Sequence, residues 1–190
     1  MAAIVFGLAR RARIPSLTER HDSTLVLGLF AFVNGLIAIG AMAAVAFATS
    51  EPFVFPSLGP TAFLLFYTPL LPASSPRNTL LGHAIGAAAG YASLVLFGLT
   101  EAAPALTSSV SGGRVGAAAL SLGLTSGAMV WARVPHPPAG ATTLIVSLGI
   151  LREPAQLAVL MVAVVLLVAQ GFLINRLAGI PYPLWRPRPA

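Results

Sequence analysis

The sequence predicts an all-α, polytopic membrane bundle built as two inverted repeats, each a long helix, an extended segment with a half-helix, and a second long helix. Three observations predict it. The 190 residues are 57% hydrophobic and only 8% charged, which is too apolar for a soluble domain. Long runs without a charged side chain occupy residues 24–48, 79–100, 115–132 and 155–175. A proline and glycine interruption occurs twice: Pro56-Ser57-Leu58-Gly59-Pro60-Thr61 and Pro137-Pro138-Ala139-Gly140-Ala141-Thr142 share the spacing Pro-x-x-Gly-x-Thr. The chain divides into a basic N-terminal segment (1–23), a first membrane repeat (24–100), a connecting loop (101–114), a second membrane repeat (115–176) and a tail (177–190).

Residues 1–23 begin apolar and then carry Arg10, Arg11, Arg13 and Arg20, the reverse of a cleavable signal peptide, so an amphipathic segment at the cytoplasmic interface is expected. The run 24–48 exceeds the roughly 20 residues that a spanning helix needs. Its amide side chain, Asn34, must find a partner on another helix or in a cavity. Pro52 and Pro56 each remove a backbone donor, so residues 50–56 are extended. Residues 57–68 then form a short helix, with Ser57 as N-cap and Pro60 in its first turn. At about 1.5 Å per residue it cannot cross a hydrocarbon core of about 30 Å alone, so it starts near the middle of the membrane.

Residues 70–78 read as a proline-rich loop containing Arg77. In the span 79–100, Gly82, Gly86 and Gly90 fall on one face beside His83, a pattern that lets helices approach closely. The span 115–132 ends at Arg133, the second break follows from Val134, and residues 139–151 form the second short helix. The span 155–175 is the most uniformly aliphatic and is expected to meet lipid or a second subunit. Tyr182 and Trp185 beyond it suit the membrane interface.

If both broken segments cross, the second half is inverted relative to the first. Arg10, Arg11, Arg13, Arg20, Arg77, Arg133, Arg176, Arg186 and Arg188 then share the cytoplasmic side with both termini, leaving Arg114 and Arg152 outside, as the positive-inside rule requires. Re-entrant segments would instead put Arg77, Arg133 and Arg152 outside.

Inverted half-helices bring two positive dipole ends together near the midplane. Their first N–H groups lack intrahelical partners, and such a cradle favours a small anion. The expected substrate-binding residues are Pro56, Ser57, Leu58, Gly59, Thr61, His136, Pro137, Pro138, Ala139, Gly140, Thr142 and Thr143, the glycines admitting close approach and the hydroxyls donating. His136 either serves as a protonatable donor there or caps the helix before it. Asn34, His83 and Arg77 are candidates for pore lining or packing, with packing favoured for His83; His21 reads as a solvated surface residue. No metal-ligand or nucleotide-binding spacing and no catalytic constellation occurs, so no cofactor, metal or enzymatic activity is expected. Basic residues scattered between apolar runs orient a membrane protein and give no nucleic-acid face.

The run from His136 to Leu144, together with that from Pro56 to Ala62, closely resembles the family of integral membrane proteins named for its His-Pro-Pro motif. Pro76-Arg77-Asn78 and Gly82-His83 resemble its Pro-Arg and Gly-His positions. Members in cyanobacteria and plastids are associated with nitrite transport, and some bacterial members add a regulatory domain of the cystathionine-beta-synthase type that is missing here. The resemblance implies a small-anion transporter with nitrite as leading substrate. The N-terminus does not look like a transit peptide, so a bacterial inner membrane is expected. Other readings are a structural or sensory membrane protein without flux and a passive channel for a small neutral solute. The glycine face and the aliphatic last span leave room for a homodimer.

Overall fold

The computed structural model describes residues 13–187. Among them are seven α-helices and one 3-10 turn, with no strand: α1 (Ile14–Thr18), α2 (Ser23–Thr49), α3 (Leu58–Tyr67), the turn Pro72–Ser74, α4 (Pro76–Leu96), α5 (Gly112–Trp131), α6 (Ala139–Ser147) and α7 (Pro154–Leu177). Arg10, Arg11 and Arg188 lie outside the described residues.

Local chemistry sets the boundaries. Asp22 caps α2 by accepting from the Leu25 amide, and Ser50 ends it in the left-handed region at φ 59°. Pro76 opens α4, where Ser75 accepts from the Asn78 amide; Ser111 does the same for α5 through the Arg114 amide. The Glu153 and Gln156 side chains form a reciprocal capping box around Pro154 at the start of α7.

Three helices, α2, α4 and α7, are long and apolar enough to cross a membrane. α5, expected as a fourth, has 20 residues but opens on Gly112-Gly113-Arg114, and its polar first turn leaves it outside that set. Several other expectations need correction. The loop at 70–78 contains the 3-10 turn and the first turn of α4, because Pro76 suits a helix start. α4 closes at Leu96 rather than residue 100, where Gly98 at φ 64° turns the chain. The short helices are ten and nine residues long, shorter than expected at their C-terminal ends. Arg114 belongs to α5, not to the connecting loop.

Helix packing obeys an exchange. α3 packs on α2 and α7, while α6 packs on α5 and α4; α2 meets α7 as α5 meets α4, and α4 touches α7. Swapping α2 with α5, α3 with α6 and α4 with α7 leaves this set of pairs unchanged. Close contacts follow the same register. A Cβ on Gly90 would lie 2.7 Å from the Val146 side chain, and one on Gly171 would lie 3.0 Å from Leu65. Gly90 is separated from Gly171, and Leu65 from Val146, by the same number of residues as Pro56 from Pro137.

The glycine face of α4 therefore faces inward. Gly82 lies against His136, Gly86 against the Ala139 carbonyl and Gly90 against Val146, so this face serves α6 and is not free for a second subunit. The helix α7, expected to meet lipid or a second subunit, buries Leu160, Ala163, Val164 and Leu167 in the core and exposes Val162, Val165, Leu173 and Leu177. The helix α2 also presents Leu25, Leu29, Phe32, Leu36 and Phe47 outward.

Hydrogen bonds define two ends. At one, the Ile14 amide donates to Ala178, the Arg77 amide donates to Trp185, and the Arg77 guanidinium donates to the carbonyls of Ala132 and Arg133. At the other, Arg114 donates to the carbonyls of Ala102, Ala103 and Ser147, and Arg152 to those of Glu101 and Ala102. Tyr182 is not an interfacial anchor: it is fully buried, and its hydroxyl donates to the Ser74 carbonyl. Trp185 is partly exposed.

Candidate functional site

Each break begins with an extended run of alternating burial. Phe53, Phe55 and Ser57 point inward while Pro52, Val54 and Pro56 point outward; Val134, His136 and Pro138 point inward while Arg133, Pro135 and Pro137 point outward. The turn into each helix is also shared. Ser57 (φ −70°, ψ −19°) and Pro138 (φ −58°, ψ −19°) hold matching conformations, and the Leu58 amide donates to Phe55 as the Ala139 amide donates to His136. The proline and glycine spacing dictates this backbone twice, so Thr61 and Thr142 project from equivalent first turns.

Those two threonines meet on one imidazole. His83 of α4 lies between the breaks, its Nε2 2.9 Å from Thr61 Oγ1 and its Nδ1 2.7 Å from Thr142 Oγ1. His136 completes the group, with Nε2 3.1 Å from His83 Nε2 and 3.3 Å from Thr61 Oγ1. Its Nδ1 lies 2.7 Å from the Ala73 carbonyl in the 3-10 turn. Thr61, His83, His136 and Thr142 are all fully buried.

The partners fix the protons. A carbonyl only accepts, so His136 carries its hydrogen on Nδ1 and presents a lone pair at Nε2. His83 then donates from Nε2, shared between His136 Nε2 and Thr61 Oγ1, and its Nδ1 accepts from the Thr142 hydroxyl. Thr61 gives its own hydrogen to the Ser57 carbonyl at 2.9 Å. Every polar hydrogen of the neutral cluster has an acceptor, and a single hydrogen lies between the two Nε2 atoms.

The expected site residues divide into several groups. Thr61, His136 and Thr142 are joined through His83, which sequence reasoning favoured as a packing residue and which is the hub. Ser57 occupies the N-cap position of α3, but its hydroxyl makes no capping bond and is buried without a partner. Thr143 is likewise buried with an unpartnered hydroxyl. Leu58, Pro138 and Ala139 are packed inward, and Pro56 and Pro137 face outward. Gly59 is exposed with nothing near its Cβ position, and Gly140 has only Leu122 beside it.

The amide cradle expected at α6 is already filled. The amides of Ala139, Gly140, Ala141 and Thr142 donate to the carbonyls of His136, Pro137 and Pro138, because the Pro-Pro turn folds its own carbonyls back over them. His136 does not cap α5; a backbone turn with Arg133 at φ 53° does, the Arg133 amide donating to Val130 and the Val134 amide to Met129, while Arg77 reaches the carbonyls of Ala132 and Arg133 beyond the helix end. Asn34 is buried, and its side chain donates 2.7 Å to Phe30 of its own helix. His21 is exposed. The role of the Ala73 carbonyl had no sequence signal, since any residue supplies one. His83 was marked in the sequence by its place beside Gly82, whose Cβ position is 2.6 Å from His136.

The repeat is asymmetric in chemistry. The register that takes Thr61 to Thr142 takes Phe55 to His136 and His83 to Val164. One of two quasi-equivalent positions is therefore a polar histidine pair, while Phe55 and Val164 belong to the apolar core. Among the described residues no group of three or more His, Asp or Glu side chains could hold a metal ion. An open groove lined by Ile14, Leu27, Tyr67 and Ile180 lies apart from this cluster and contains none of the expected site residues.

The sequence model of a family described as HPP, transmembrane region, matches residues 20–183. No curated protein and no solved structure matches the chain.

Proposed function

The chain belongs to the HPP family, matched through its transmembrane region, and on that premise we propose that it carries a small monovalent anion, nitrite first, across a membrane through the buried centre where its two breaks meet. The observation that carries this reading is the convergence of Thr61 and Thr142, equivalent residues of the two breaks, on opposite nitrogens of His83. Transport sites lie where inverted halves join, at the first turns of discontinuous helices.

The inverted arrangement is supported by the two ends. α2 begins beside the end of α3 and the end of α7, and α4 begins where α5 ends. α6 runs parallel to α4, as successive glycines of α4 meet successive residues of α6. Each short helix then acts as a half-helix completing the crossing of its extended segment. Arg13, Arg77 and Arg133 fall at one end and Arg114 and Arg152 at the other, which favours cytoplasmic termini in a bacterial inner membrane. A homodimer would use the apolar face of α2.

The donors of the cluster are the two threonine hydroxyls and the His83 N–H, with no carboxylate among the bonded neighbours of His83, which suits an anion. The cluster as folded is closed. An anion binds by exchange, the Thr61 and Thr142 hydroxyls and the His83 N–H turning from protein acceptors to its oxygens.

The test is nitrite uptake into liposomes holding the purified protein, beside Thr142→Val and Gly140→Leu. Uptake above empty liposomes that falls in both folded variants is expected; no flux with nitrite, nitrate, formate or chloride would sink the transport reading. One observation favours a purely structural joint, namely the satisfied amides at the start of α6. That reading predicts stability loss in Thr142→Val with no flux to lose.

A further inference from the structure

We propose that the His83–His136 pair takes up one proton together with the anion, so that the transported unit is a neutral pair of anion and proton. This rests on the anion reading and adds what accompanies the anion. It follows from the proton inventory of the cluster rather than from the histidines being titratable.

In the closed state one hydrogen lies between the two Nε2 atoms, 3.1 Å apart, and both imidazole acceptors are occupied. Two imidazole lone pairs are bases: His83 Nδ1 takes the Thr142 hydrogen, and the one that faces the other ring is His136 Nε2, which the hydrogen between the rings occupies. A second proton adds to this lone pair. Both Nε2 atoms then carry hydrogen, the N–H···N bond is lost, and two donors face each other across the same space. An oxygen of an anion placed between them accepts both. When the anion leaves, one proton leaves with it and the original bond re-forms, so protons and charge balance over the cycle.

The surroundings make the two binding events depend on each other. From α3 the pair is faced by the Thr61 hydroxyl, from α6 by that of Thr142, and from the 3-10 turn by the Ala73 carbonyl. None is charged. Arg77, in the first turn of α4, is turned away to the carbonyls of Ala132 and Arg133. An imidazolium alone, or an anion alone, would be an uncompensated charge in a fully buried site; together they are neutral. Such linkage is reciprocal: the anion raises the proton affinity by the factor by which the proton raises the anion affinity. The second half of the repeat offers no rival site, because Phe55 and Val164 hold the corresponding positions.

The experiment is calorimetric titration of the full chain in lipid nanodiscs with sodium nitrite, in two buffers of different ionisation heat, which counts protons taken up per anion bound. About one proton per nitrite is expected where the pair is otherwise neutral, with apparent affinity falling about tenfold per pH unit as the pH rises. His83→Gln, checked for folding by circular dichroism, should bind weakly with no proton uptake, a change that a merely structural histidine would not produce. Nitrite binding by the wild type without proton uptake would overturn the coupling and leave the anion site standing. Absence of both binding and flux would remove the two together.

Discussion

Replacing Gly86 by alanine tests whether the contact between α4 and α6 holds the centre together. The added Cβ would lie 2.6 Å from the Ala139 carbonyl oxygen, and that oxygen is backbone, so no side chain can swing aside. Restoring an ordinary separation of about 3.4 Å requires α6 to retreat by about 0.8 Å. The same retreat would stretch the 2.7 Å bond from Thr142 to His83 toward 3.5 Å, where it no longer counts as a hydrogen bond. Overpacking costs about 1–3 kcal/mol and the lost bond about 1, against a helix-propensity gain of about 1, leaving roughly 1–3 kcal/mol of destabilisation. The assay is reversible unfolding in mixed micelles, with Gly123→Ala as control because nothing lies near its Cβ position. Equal stability of the two variants would refute the argument that α4 glycines set the spacing around His83.

Three further outcomes are expected. Thr142→Val should lose about 1–3 kcal/mol by leaving His83 Nδ1 without its donor, whereas Thr125→Val, which removes a buried hydroxyl that has no partner, should be neutral or stabilising; paired unfolding curves decide. Arg114→Ala should cost about 2–3 kcal/mol through the carbonyls of Ala102, Ala103 and Ser147, with Arg114→Lys recovering only part, since an ammonium cannot fork across three carbonyls; melting temperatures check it. Burial pushes the Tyr182 phenol above its ordinary value. Its unfolded form ionises near pH 10, so the stability it contributes is intact below that pH and falls as pH rises past it, a decline that Tyr182→Phe should abolish in alkaline unfolding curves.

Much of the fold was legible because lipid imposes strict rules on sequence. Uncharged runs marked α2, α4 and α7, and the repeated proline and glycine spacing located both short helices, since proline ends one helix and suits the first turn of the next. The candidate site was half legible. Thr61 and Thr142 were marked by the repeat and His136 by its place at the second break, but the hub that joins them sits in α4, outside either break. The assignments that failed concerned partners. Ser57 was read as a capping residue and Tyr182 as an interfacial anchor, and the glycine face was read correctly as a close helix contact, but what each side chain touches depends on which helix lies opposite.

By itself the sequence determined that the chain is a helical membrane protein, that its helices break at two equivalent places, and that two threonines occupy corresponding first turns. Those are consequences of local backbone chemistry and of hydrophobic run length, which neighbouring residues encode. Only the tertiary structure decided that both threonines share one imidazole, that His136 gives its Nδ1 hydrogen to Ala73, and that one hydrogen is left between two rings. Such facts depend on the distances between α3, α4 and α6. Those distances are set by contacts such as Gly82 on His136 and Gly86 on Ala139, between residues far apart in the chain.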